Sequence, residues 1–215
     1  MKLKSDSFAD GATIPGECCF AVIDPVHHLK LSANRNPGLQ WSEAPQDVKS
    51  FALICHDPDV PSIGDDVNKD GRWVSASLPR VEFFHWLLWD IPGGTREIAA
   101  GSHSETVTPR GKSGPDTIGG LHHGLNSYTN WFAGDPEMRG DYYGYDGPCP
   151  PWNDALLHHY VFTLYALDVP KLAVQGDLTG PDVRHALSDH VLAEARLTGT
   201  YSLNPRLKGL QQPRG

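Results

Sequence analysis

The sequence predicts a mostly β, turn-rich fold, and three observations carry that expectation. Glycine and proline together make up 22 + 18 = 40 of 215 residues, close to a fifth of the chain against a usual ~12%. Three apolar runs, 50–56 (SFALICH), 83–91 (FFHWLLWDI) and 160–167 (YVFTLYAL), have the length and content of buried strands. The clearest helical pattern comes late, after Thr179-Gly180-Pro181-Asp182. At this length one domain, residues 1–215, is the simplest organisation.

Taken in order, residues 1–49 read as short strands and turns, with an apolar run at 20–23 closed by Asp24-Pro25. The strand at 50–56 is expected to stop at Asp57-Pro58-Asp59-Val60-Pro61, because each proline lacks a ladder donor and pushes its predecessor to extended geometry. Both carboxylates then sit in a rigid turn at the strand's C-terminal end, although Asp-Pro pairs also simply start turns. Asp66-Val-Asn68-Lys-Asp70-Gly71 resembles the first half of a calcium loop, but Ser77 stands where the bidentate Glu belongs, so a solvated turn is the expectation.

The 83–91 strand, read with period two, puts His85, Leu87 and Trp89 on one face and Trp86, Leu88 and Asp90 on the other. Residues 95–143 are expected to form long structured loops held by Trp131, Phe132, Tyr142 and Tyr143. Residues 144–160 (GYDGPCPPWNDALLHHY) form a loop stiffened by Gly-Pro and Pro-Pro steps that delivers histidines to the strand at 160–167. Beyond it, Val183, Ala186, Leu187, Val191, Leu192 and Ala195 give a helical apolar face, with a break expected near Ser188-Asp189. Residues 200–202 return as an edge strand, and 204–215 are expected to fray.

A net charge of −8 excludes a broad nucleic-acid surface and bulk-charge docking on an anionic membrane, while leaving room for a local anion pocket. No apolar run approaches a membrane span, and residues 1–15 lack a signal-peptide core. Cys18, Cys19, Cys55 and Cys149 show no CxxC spacing, which points to reduced thiols and a cytoplasmic setting. Adjacent histidines at 27–28, 122–123 and 158–159 would point to opposite strand faces, so they are poor chelators, and no cofactor is called for.

If the 50–56 strand runs antiparallel to the other two, Asp57, Asp59, His85, His158, Tyr160 and the Gly147 backbone meet on one rim. The motifs DPDVP (57–61), FHW (84–86) and GYDGPCPP…HHY (144–160), with NPGLQWSEAP (36–45) and HVLAEARLTGTYS (190–202), resemble the phosphatidylethanolamine-binding protein family in its bacterial Raf-kinase-inhibitor-like branch. The resemblance implies a β-sandwich of two antiparallel sheets with C-terminal helices. It also implies a rigid pocket for phosphate-like, carboxylate or phospholipid-headgroup anions, a kinase-inhibitor-like regulatory role, and compatibility with a homodimer. By motif, the ligand-binding residues are Asp57, Asp59, Pro61, His85, Gly147, Pro148, His158 and Tyr160. His159 stands where the family usually has arginine.

In that pocket the imidazoles, Tyr160 and an amide near Gly147 would donate to the anion. The carboxylates would fix each histidine's tautomer and favour its charged form, giving tighter binding at mildly acidic pH. The competing class is a hydrolase using the Asp/His cluster or a Cys149–His158 nucleophile. Neither a G-x-S-x-G elbow nor an H-E-x-x-H site is present.

Overall fold

The computed structural model describes residues 1–210. The chain opens with β1 (Lys2–Lys4), a hairpin of β2 (Ala21–Asp24) and β3 (His28–Leu31), and β4 (Leu39–Ser42). The two long strands β5 (Ser50–Pro61) and β6 (Arg80–Pro92) follow. Short segments come next: β7 (Glu97–Ile98), β8 (Gly111–Lys112), β9 (His122–His123), α1 (Tyr128–Trp131) and β10 (Asp141–Tyr142). The chain then forms β11 (His158–Leu167), α2 (Gly180–Leu187) and β12 (Val191–Tyr201).

The centre is a five-stranded antiparallel sheet in the order β12-β11-β5-β6-β9. Alternation along β5 sends Phe51, Leu53 and Cys55 to one face and Ala52 and Ile54 to the other. The first face packs on the antiparallel sheet β1-β4-β7 through Leu39, Trp41 and Ile98. The second is covered by α2, through Val183 and Leu187, and by Leu172. The result is mostly β, with stacked antiparallel sheets, as the motifs implied.

Three local expectations change. The DPDVP segment does not end the strand. β11 pairs with β5 only as far as His56, so beyond that point the prolines need no donor on that side. The register shift between Asp57 and Val60 absorbs one extra residue as a bulge, and β5 continues to Pro61. Second, the helical stripe running to Ala195 is cut at Leu187, and residues 191–201 are a strand with ten registered partners on β11. Val191 and Leu192 are exposed, whereas Ala195, Leu197, Gly199 and Tyr201 face inward with period two. Ladder formation and burial override helical spacing there. The helical content near the C-terminus is thus the eight-residue α2 and a short 3-10 helix over Pro205–Leu210. Third, Asn204 is buried and donates to the Asp154 carbonyl at 2.6 Å, so order extends past the point where fraying was expected. Residues 211–215 of that tail lie outside the described residues.

The calcium-like half-loop is an exposed turn, as expected, and it is pinned from within by a single amide. The Asn153 amide reaches into it and donates to the carbonyls of Asp66, Lys69 and Arg72 at 2.8, 3.4 and 3.2 Å.

Candidate functional site

Because β5 is antiparallel to β6 and β11, its C-terminal half and their N-terminal starts share one rim. A cavity of about 610 Å³ opens there. Asp57, Pro61, His85, His158 and Tyr160 line it. Its walls are otherwise mostly apolar, with Phe20, Phe83, Trp131, Phe132 and Met138 among them and Leu29 and Leu31 from β3, while Ser62 and Asn68 add polar side chains.

His85 reaches the cavity through a second bulge. Cys55 pairs with Trp86 and His56 with Phe84, leaving His85 as the extra residue of β6. Strict period two would have put it with Leu87 and Trp89 under α2. The bulge turns it instead toward Tyr160, with ring centroids 5.1 Å apart, and toward Tyr128. Its Nδ1–H donates to the Asp146 carbonyl at 2.7 Å. The expected carboxylate partner is thus a backbone oxygen. Burial pushes the His85 pKa down to about 4, with Asp57 and the Asp146 carbonyl opposing, so the ring is neutral near pH 7.

His158 is the opposite case. Its Nδ1–H donates to Asp57 Oδ2 at 2.7 Å and its Nε2–H to Asp154 Oδ2 at 3.2 Å, all fully buried. Burial alone would lower its pKa, but the two carboxylates outweigh burial and lift it to about 9. It is an imidazolium with no donor to spare. Arg80 forks onto Asp154 at 2.6 and 3.1 Å and balances the second carboxylate. Tyr160 is buried, and its hydroxyl makes no hydrogen bond of good geometry among the described residues, although the Asp57 carboxylate lies close enough to interact with it. Burial, then the nearby Asp57 charge, holds its pKa well above the usual phenol range.

Three residues named from the motifs do not line the cavity. The Asp59 carboxylate accepts from the His159 backbone N–H at 2.9 Å and Nδ1–H at 2.8 Å, so His159 braces Asp59 in the arginine's place. The Gly147 amide is spent on Asn34 Oδ1 at 2.8 Å and cannot donate to a ligand. A Cβ at Gly147 would lie 2.1 Å from the Cys18 carbonyl oxygen, which explains glycine there. Pro148 contributes its carbonyl to Phe20 N–H at 3.0 Å. These two fix the loop, and Cys149, Pro150 and Pro151 form the wall.

The loop is held from behind by a network the sequence did not reveal. Buried Asp146 accepts from Asn34, Asn126 and Lys112 at 2.7, 2.8 and 2.8 Å. Burial pushes Asp146 up and Lys112 down, each opposed by the other's charge. Among the missed residues, Asp154 carried a local signal, four residues before His158 in the same stretch. Arg80, at the start of β6, and Tyr128, at the start of α1, come from elements distant in sequence and had none.

Cys149 has its pKa pushed up by burial to about 12, and both nitrogens of His158 are engaged elsewhere. That arrangement does not favour the thiolate a Cys–His nucleophile needs. All four cysteines are free thiols.

The family profile described as phosphatidylethanolamine-binding protein matches residues 4–202. A UPF0098 protein from Methanothermobacter thermautotrophicus is 31% identical over 201 residues, 94% of this chain and 98% of that protein. The UPF0098 protein YbhB from Escherichia coli is 28% identical over 94% of this chain and its own full length. A solved phosphatidylethanolamine-binding-protein homologue from Chlamydia trachomatis superposes with a TM-score of 0.61 at 26% identity, covering 94% of this chain and 96% of that one. With the profile spanning nearly the whole chain, the rim cavity described above is that of a member of the phosphatidylethanolamine-binding protein family.

Proposed function

We propose that this protein binds a small amphiphile, with an oxyanion head of phosphate or phosphoester type at the floor and an apolar tail along the wall. The observation that carries this is the buried Tyr160 hydroxyl, without a hydrogen bond of good geometry, at the base of an aromatic cavity. A phosphate oxygen would accept from that hydroxyl, and the imidazolium of His158 would favour negative charge beside it. Ligand binding is preferred over hydrolysis because the thiol and His158 lack the geometry of a nucleophile and its base.

We extend the reading to a regulatory, kinase-inhibitor-like role in the cytoplasm, on the sequence resemblance and the four free thiols. Kinase assays with and without ligand address that extension. The binding itself is tested by calorimetry with alkyl phosphates from methyl to hexyl. At ~0.8 kcal/mol per buried methylene, affinity should rise about fourfold per added carbon while the tail follows the wall. Tyr160→Phe should weaken every member of the series by about tenfold, the scale of one hydrogen bond to a charged acceptor. Affinity that ignores chain length and Tyr160 would contradict the reading.

A further inference from the structure

The floor of the cavity is short of hydrogen-bond donors. The Asp146 carbonyl can only accept, so the single proton of a neutral His85 sits on Nδ1. Its Nε2 has no partner among the described residues and presents a lone pair at the cavity. Asp57, which also lines the cavity, is a carboxylate that already accepts from the Asp59 N–H at 2.7 Å and from His158. His158 gives both its N–H groups to carboxylates. Of these four side chains, only the Tyr160 hydroxyl has a proton to offer.

A fully ionised oxyanion would therefore meet a lone pair and a carboxylate with one donor between them. We propose that the pocket takes up its oxyanion head together with one proton, held between His85 Nε2 and a ligand oxygen. His85 thereby selects for proton-bearing heads and couples affinity to pH. A head without a proton, such as a sulfonate, draws one proton per ligand from solvent, whereas a monoprotonated phosphoester brings its own. No other bond forms or breaks. This inference rests on the anion-head reading above and adds the protonation state to it.

The surroundings of His85 agree. Asp57 and His56 face it from β5, His158 and Tyr160 from β11, Tyr128 from α1, and the Asp146 carbonyl from the loop. Burial is the largest influence and lowers its pKa to about 4. Asp57 and the carbonyl work against burial, and the positive charges of His158 and His56 add to it. The empty site thus starts neutral at His85 above about pH 5. His158 stays charged to about pH 9, so the two histidines do not titrate together, and the pH dependence expected from both belongs to His85 alone.

The test uses hexanesulfonate, which has no titrating proton in this range, beside hexyl phosphate. Calorimetry would run from pH 5.5 to 7.5 in two buffers of different ionisation enthalpy. Hexanesulfonate affinity should fall nearly tenfold per pH unit, with one proton absorbed per ligand. The His85 ring should titrate in NMR from neutral to protonated, or hydrogen-bonded to a proton, on adding ligand at constant pH. In His85→Gln, whose amide supplies a donor without titrating, the pH slope should shrink to less than twofold over the same range. Hexanesulfonate binding to the wild type without proton uptake would overturn the inference, as would preferential binding of hexylammonium. If neither anionic probe binds at any pH, the anion-head reading itself falls, a result distinct from anion binding that ignores pH.

Discussion

His158 and His85 lie at one rim on the two strands that flank β5, yet their environments drive them to opposite charge states. Asp57 and Asp154 hold His158 as an imidazolium, while burial keeps His85 neutral. A histidine whose pKa rises on folding stabilises the fold fully below its unfolded value near 6.5, and that stability is lost as pH rises through about 9. The amount at stake is on the order of 3 kcal/mol. Urea denaturation should therefore show a loss of that size between pH 6.5 and 9.5 in the wild type, and His158→Gln should flatten it. At pH 7, Asp154→Asn removes one carboxylate from a buried set that includes Arg80 and His158. It should cost about 3 kcal/mol, read as a lower urea midpoint. A wild-type stability that does not respond between pH 6.5 and 9.5 would argue against the buried imidazolium.

At the scale of elements, two bulges and one glycine decide where the chemistry falls. The bulge at His85 transfers a single side chain from the α2 face to the cavity without disturbing Trp86 or Leu87. The bulge between Asp57 and Val60 lets a strand pass through two prolines. Gly180 begins α2 against the Phe84 ring, and a Cβ there would lie 2.3 Å from it. Gly180→Ala should force α2 off the sheet and cost about 1–3 kcal/mol in urea denaturation. Because α2 covers the face opposite the cavity, affinity for hexyl phosphate should change less than twofold in the folded variant. A tenfold loss of affinity would mean that α2 and the cavity are mechanically linked.

At the scale of the whole molecule, burial holds three histidines neutral, His85 and His123 deeply and His103 partly. Burial lowers His85 and His103 to about 4 and His123 to about 3. Each takes a proton on unfolding below about pH 6.5, so their contribution to stability declines as pH falls toward 4. Together with His158 they predict a dome in melting temperature, highest near about pH 7, with losses on both sides. A melting temperature constant from pH 4.5 to 9.5 would contradict this assignment.

The three long strands and the residue types of the rim were legible in the sequence because apolar runs act locally. DPDVP, FHW and HHY announced which residues would meet, and antiparallel pairing then brought the strand ends together. Other features depend on neighbours far along the chain. No local pattern could report that β11 stops pairing at His56, and so lets Pro58 sit inside β5, or that the 191–201 segment finds a ladder stronger than its helical spacing. Nor could it report that Asn34 captures the Gly147 amide. The sequence by itself determined a β protein with an Asp/His rim. Tertiary structure decided that His158 is charged and fully engaged while His85 is neutral and open, because charge state depends on burial and partners contributed by other elements.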